Sequence, residues 1–212
     1  MSLSFMRLVL GDLGTNCYII GDPDSKEAFV IDPDDGPAVV DTLKERGLTC
    51  IGILLTHGHS DHIHGVQTLM DTYGAPVYIH ERDLPCLYDP QVNLSVLHGR
   101  PVTITGGTIK TVKDGQHIGS GKMDFQVLET PGHTVGGVCY YMSPAVFVGD
   151  TLFRESVGRT DFPGGDFEAL AQSIRTKLFT LPDQTMAYPG HGPETQIAFE
   201  KENNPYLSLI HI

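Results

Sequence analysis

The segment Thr56-His57-Gly58-His59-Ser60-Asp61-His62 gathers three imidazoles and a carboxylate into six residues, directly after the aliphatic run Cys50-Ile51-Gly52-Ile53-Leu54-Leu55. A run of that length and composition reads as a buried strand, and Gly58 marks the turn that follows it. On an extended or loop backbone His57 and His59 sit two positions apart and can point the same way. The following stretch, from Asp61 or His62 up to residue 73, carries Ile63, Val66, Leu69 and Met70 at a spacing that fits one helical face. Asp61 and His62 are therefore expected at a helix N-terminus, where the dipole favours a carboxylate. This differs from the HExxH pattern, in which both ligands lie within one helix. Four of the ten histidines, His57, His59, His62 and His64, fall within eight residues. Such density points to metal binding rather than to a solvated polar turn.

Composition narrows the class. With 212 residues and 40% hydrophobic content, the chain can build one sizeable domain or two tightly joined halves. No linker, low-complexity tract or short-period repeat interrupts it, so a single domain over residues 1–212 is expected. A formal net charge of −12 sets up a field that repels nucleic acid and anionic membranes, so neither is expected as a partner. The first ten residues show no cationic region followed by a continuous apolar stretch, which predicts neither a signal peptide nor a membrane span and gives a cytoplasmic expectation. Cys17, Cys50, Cys86 and Cys139 are widely spaced and form no CxxC pair, so reduced, partly buried thiols are expected.

Strand-like runs occur at residues 3–10, 17–20 and 28–31, followed by a helical pattern over 37–46 with Gly47 as its stop. Residues 76–79 read as another strand and 81–88 as a short helix or turn, while 94–112 has no clear period. Strands follow at 117–118, 123–128, 137–141 and 146–149, then helices at 167–178 and 195–202. Strands cluster first and a helix follows, twice. The pattern predicts an α/β protein of two similar β-then-α halves, with sheets packed on each other and helices outside.

Three further histidine or aspartate positions fall at turns or strand ends. His133 lies in Thr130-Pro131-Gly132-His133-Thr134 after an apolar strand, Asp150 ends the run Ala145-Val146-Phe147-Val148-Gly149, and His191 sits in Tyr188-Pro189-Gly190-His191-Gly192. A lone histidine is more often structural than a ligand, and an Asp after a strand is commonly a turn former. Their recurrence, added to the first cluster, supplies enough donors for two metal ions.

In this order, Asp32 in Val30-Ile31-Asp32-Pro33, then the HxHxDH cluster, His133, Asp150 and His191, the chain resembles the metallo-β-lactamase superfamily over nearly its whole length. The resemblance implies an αββα sandwich with two divalent metal ions at one sheet edge. It implies that His57, His59 and His133 hold one ion, that Asp61, His62 and His191 hold the other, and that Asp150 bridges them. Asp32 would orient the cluster from behind. Two departures are Asp34, where glycine often follows the Asp-Pro pair, and His64, where glycine is common; neither removes a ligand, and His64 is expected beside the site. Mixed imidazole and carboxylate donors suit zinc and tolerate iron or manganese. Two such ions can share a hydroxide of lowered pKa that attacks a carbonyl, with Asp61 as the catalytic carboxylate that orients the nucleophile or takes up its proton. No GxSxG segment or cysteine-centred signature proposes a covalent route.

The segments Gly149-Asp150-Thr151-Leu152-Phe153, Gly158-Arg159-Thr160-Asp161-Phe162 and Tyr188-Pro189-Gly190-His191-Gly192-Pro193 look like the glyoxalase II branch. That likeness implies hydrolysis of a glutathione thioester of the S-lactoylglutathione type, with Arg159 as a substrate-binding residue; a salt bridge from Arg159 to Asp161 or Asp166 is the structural alternative. Only 21 residues follow His191, so no additional C-terminal helical domain is expected, and Asn203-Asn204-Pro205-Tyr206 resembles the tail of short, single-domain members. Persulfide dioxygenases share the fold and the Gly-Arg-Thr-Asp-Phe segment and use one iron, which here would sit on His57, His133 and Asp150. Their final motif is usually Pro-Ala-His-Asp, against Pro-Gly-His-Gly here. Lactone and β-lactam hydrolysis remain alternatives on the same two-metal site. A non-catalytic metal-binding or electron-transfer module is disfavoured, because no flavin-binding or other redox domain is attached.

Overall fold

Alternation along the apolar strands sorts their side chains into separate layers. In β2 (Thr15–Asp22), Cys17 and Ile19 join one buried cluster while Tyr18 and Ile20 join another. In β3 (Glu27–Ile31), Ala28 and Val30 take the first side and Phe29 and Ile31 the second. Strands buried on both faces need a layer on each side, and the computed structural model, which describes residues 2–207, supplies both. Met1 and residues 208–212, at the ends of the expected 1–212 domain, lie outside the described residues.

One six-stranded sheet runs in the order β1 (Ser4–Leu10), β2, β3, β4 (Thr49–Leu54), β5 (Val77–His80) and β6 (Ile109–Val112). Its first three strands are antiparallel and the rest are parallel. The helices α1 (Gly36–Arg46) and α3 (Val66–Tyr73) cover its outer face through Val39, Leu43, Val66 and Leu69. The second sheet contains β7 (His117–Ser120), β8 (Met123–Glu129), β9 (Val138–Met142), β10 (Ala145–Gly149), β13 (Met186–Pro189) and β14 (Thr195–Gln196). Between β10 and β13 lies a small hairpin of β11 (Leu152–Phe153) and β12 (Ser156–Val157). On the outer side of the second sheet, α4 (Phe167–Ser173) and α5 (Ile197–Asn203) contribute Leu170, Ala171 and Ile197 to a third cluster. Tyr18, Phe29, Phe125, Tyr140 and Phe147 fill the seam between the sheets. The result is the expected α/β layering: helix, sheet, sheet, helix.

The structure revises three local readings. The helix expected over residues 61–73 is two: α2 (Ser60–Ile63), then a break at Gly65, then α3. Gly65 donates its N–H to the Pro33 carbonyl at 2.8 Å, and a Cβ there would stand 2.6 Å from the Gly36 nitrogen, so the backbone crossing forces the break. The stretch 94–112 forms a short 3₁₀ turn at Ser95–His98 and the edge strand β6. The helix over 167–178 widens into a π turn at Ile174–Leu178. The strand end expected before His191 takes its bounds at Met186–Pro189 and lies parallel to β10. All four cysteines are buried and free, as expected. No helix among the described residues is long and apolar enough to cross a membrane.

Candidate metal centre

Every predicted donor leaves the end of a strand or the first turn of a helix at the same edge of the sandwich. His57 and His59 follow β4, Asp61 and His62 open α2, His133 follows β8, Asp150 follows β10 and His191 follows β13. Their ligand atoms form three overlapping groups, each within 4.8 Å: His57 with His59 and His133, His57 with His62 and Asp150, and Asp61 with His62 and His191. Asp150 stands between the outer two. Its Oδ1 lies 3.5 Å from His62 Nε2, and its Oδ2 lies 3.6 Å from both His133 Nε2 and His191 Nε2.

Hydrogen bonds behind the imidazoles fix which nitrogen faces inward. His133 Nδ1 is 2.7 Å from the Arg159 carbonyl, which can only accept, so Nδ1 carries the proton and Nε2 presents its lone pair. Asp32 acts on two others, on His57 through Thr56 and on His62 by its charge. It receives the Thr56 N–H at 2.8 Å and the Thr56 hydroxyl at 2.6 Å. With its proton committed there, Thr56 Oγ1 accepts from His57 Nδ1 at 3.1 Å. Asp32 Oδ2 also lies 3.0 Å from His62 Nδ1. Gly190 is required by closeness: a Cβ there would stand 2.3 Å from Asp150 Oδ1 and 2.6 Å from His62 Cε1.

Of the buried atoms that make no hydrogen bond, His57 Nε2, His62 Nε2 and Asp150 Oδ1 face the centre, while His62 Nδ1 faces the Asp32 carboxylate. Leaving such a group unsatisfied costs about 1–3 kcal/mol. A cation that accepts their lone pairs removes that cost, so the donor set fits divalent metal. The electrostatics divide the centre. Burial first, then the neighbouring imidazoles, pushes His57 far below its ordinary range and His59 down to about 3. Burial also acts against the proton on His62, but the Asp61, Asp32 and Asp150 carboxylates outweigh it and raise His62 to about 10. His191 is raised as well: burial opposes, while its hydrogen bond to Asp61 and the Asp150 charge prevail. Asp61 is lowered, because His62, His191 and the Thr15 hydroxyl outweigh its burial.

A cavity of about 490 Å³ opens over these donors, walled by Leu13, Leu94, Phe153, Val157 and Phe162. Arg159 lines it too, but its Nε and Nη2 each hold Asp161 at 2.7 Å and its guanidinium lies 3.9 Å from the Phe162 ring centre. The structural alternative for Arg159 is thus present, with Asp161 as the partner. His64 pairs with Asp34 at 3.3 Å and joins none of the three groups, so the two departures from the family pattern meet each other.

Sequence reasoning missed the residues that hold the donors in place. Asn16 Nδ2 donates to the carbonyls of Pro189 and Gly192, both at 2.9 Å, and Tyr18 Oη donates to Pro189 at 2.7 Å, so β2 grips the His191 turn. Thr15 Oγ1 donates to Asp61 Oδ2 at 3.0 Å. Asp83, buried in the 3₁₀ turn Glu81–Leu87, accepts from Gly58, Thr134 and Gly136. Polar residues beside β-strands were the available signal, but nothing local distinguishes them from ordinary turn formers.

Paired sheets between helices, with histidine and carboxylate donors converging at one edge, define a metal-binding hydrolase architecture. The sequence pattern of the metallo-beta-lactamase superfamily matches residues 10–191, and the chain belongs to that superfamily. It is 37% identical to the probable metallo-hydrolase YqgX of Bacillus subtilis, over 97% of this chain and 98% of that protein. It is 34% identical to the hydroxyacylglutathione hydrolase GloC of Haemophilus influenzae, over 91% and 92% of the two chains. Among solved structures, BLEG-1 B3 metallo-beta-lactamase superposes with a TM-score of 0.92 at 41% identity, over 97% of this chain and 100% of that one. TTHA1623 in a di-iron-bound form superposes with a TM-score of 0.84 at 36% identity, over 95% and 100%.

Proposed function

We propose that this metallo-hydrolase cleaves a thioester, of the S-lactoylglutathione type, with two divalent ions of which zinc is the first choice. The observation that carries the two-ion reading is the Asp150 carboxylate, whose Oδ2 lies 3.6 Å from one histidine of each group, His133 and His191, while its Oδ1 faces His62. His57, His59 and His133 would hold one ion, Asp61, His62 and His191 the other, and Asp150 would join both. Iron and manganese suit the same donors, and the di-iron form of a relative keeps iron in view. When bound, the ions supply Lewis acidity and a water of lowered pKa at neutral pH.

The chain's own groups supply the rest. Asp61, whose Oδ2 is 3.2 Å from His191 Nε2 and hydrogen-bonded to Thr15, would orient the nucleophile and take up its proton. Leu13, Leu94, Phe153 and Phe162 exclude water and receive the apolar part of the substrate. Arg159, at the mouth in the Gly158-Arg159 loop, is the candidate for the glutathione carboxylates. The thioester reading draws its support from that loop and from the likeness to GloC.

Metal analysis of purified protein should return close to two ions per chain, with turnover of S-lactoylglutathione well above that of a β-lactam or a lactone. Asp150→Ala should lower metal content and turnover together. A reproducible single ion with oxygen uptake on glutathione persulfide would replace this reading with the dioxygenase one, and a fully active Asp150→Ala would remove the bridging role.

A further inference from the structure

We propose that Asp83 is a positioning residue for the three-histidine half of the centre, clamping the His57–Gly58–His59 loop from the first sheet to the His133 loop from the second. This inference rests on the proposed binding of an ion by His57, His59 and His133. The Asp83 carboxylate is 1% exposed and accepts three hydrogen bonds from two distant segments. Its Oδ2 takes the Gly58 N–H at 3.1 Å and the Thr134 hydroxyl at 2.7 Å, and its Oδ1 takes the Gly136 N–H at 2.8 Å. Gly58 is the residue between two imidazole donors, and Thr134 directly follows the third. The peptide between His57 and Gly58, and the hydroxyl of the residue next to His133, are therefore referred to one carboxyl group.

The loops also share a backbone bond from Val138 N–H to the Thr56 carbonyl at 2.8 Å, at the ends nearer their strands. Asp83 holds the ends that carry the ligands. His133 is further steadied through its own ring, by Arg159, but no ring hydrogen bond from His59 reaches anything except His133 among the described residues. His59 thus depends on its backbone for direction, and that backbone is what Asp83 fixes.

The group must be a carboxylate. An amide offers one acceptor oxygen and an NH₂. Turned either way, an asparagine at 83 sets its NH₂ against the Gly136 N–H or the Gly58 N–H. Loss of such an outer hydrogen-bond partner typically weakens metal binding about 10–100-fold.

The test titrates zinc against a competing chelator in wild-type protein and in Asp83→Asn, Thr134→Val and Glu200→Gln. Cobalt(II)-substituted samples assign each ion through the hyperfine-shifted imidazole resonances of its ligands. Glu200 is the control: it is a buried carboxylate on α5 bonded to Thr195, Glu155 and Asn204, away from the donor loops. Asp83→Asn should weaken the ion at His57, His59 and His133 about 10–100-fold and leave the ion at Asp61, His62 and His191 within threefold of wild type. Thr134→Val, nearly isosteric, should shift the same ion in the same direction by a smaller factor, and Glu200→Gln should retain both. Should Asp83→Asn fail to fold, Thr134→Val decides, and unchanged affinity there overturns the proposal. Equal weakening of both ions, or the same selective loss in Glu200→Gln, also overturns it. Failure of the two-ion reading shows in the wild type, which would then take up a single ion per chain; failure of the Asp83 assignment shows only in the variants.

Discussion

Asp32 Oδ2 lies 3.0 Å from Nδ1 of His62, with both side chains almost sealed from solvent. Asp32 also caps the start of the histidine loop through the N–H and hydroxyl of Thr56, and it does so from a left-handed backbone, φ 51°. Aspartate tolerates that conformation better than most residues. One carboxylate thus stands as the charge partner of His62 and sets the tautomer of His57 through Thr56.

Asp32→Asn keeps the backbone preference and removes the charge. Metal affinity should fall about 10–100-fold, because two imidazoles lose their orienting partner. Metal-free stability should fall by about 1–3 kcal/mol for the buried group left unsatisfied. Chelator competition and thermal unfolding of the metal-free protein measure the two effects; unchanged metal affinity would show that Asp32 acts on the fold alone.

The two halves of the centre should respond differently to pH. In the metal-free protein His62 is raised to about 10, so at pH 6–8 it carries a proton that an incoming ion must displace. His191 is raised too. Affinity of the Asp61, His62 and His191 group should therefore drop about tenfold or more per unit as pH falls from 8 to 6. His57 lies far below its ordinary range and His59 is held at about 3, so neither has a proton to lose there. Binding isotherms in buffers of different ionisation enthalpy would count the protons released, and equal release for both ions would contradict the division.

Gly190→Ala places a methyl against Asp150 Oδ1 and His62 Cε1. Displacement of the Asp150 carboxylate by even 1 Å should lower kcat/KM about 100-fold while circular dichroism shows the fold retained. Wild-type turnover would mean the site has slack that the packing does not suggest.

Arg159 already spends two nitrogens on Asp161. If it also receives glutathione, Arg159→Ala should raise KM for a glutathione thioester severalfold more than for a simple acyl thioester. Equal changes on the two substrates would leave Arg159 with its loop-pinning role only.

The converging histidines and aspartates were legible in the sequence, since each lies just past an apolar strand or in the first turn of the helix that follows one, and both of those signals are local. The order of strand runs and helices likewise foretold two layers with helices outside. The helix break at Gly65, the parallel pairing of Met186–Pro189 with β10 and the supports at Asn16, Tyr18 and Asp83 were not legible. Each depends on partners far along the chain: Asn16 meets Pro189 across 173 positions and Asp83 meets Thr134 across 51. The sequence by itself determined which side chains can bind metal and which faces seek burial, because those are properties of single residues and short periods. Only the tertiary structure decided that Asp150 lies between the outer donor groups, that Arg159 is paired and that one buried carboxylate joins the two histidine loops. Those relations exist only once the sheets pack and exclude water, which brings the strand ends to one edge and leaves each buried polar atom dependent on the partners that the fold supplies.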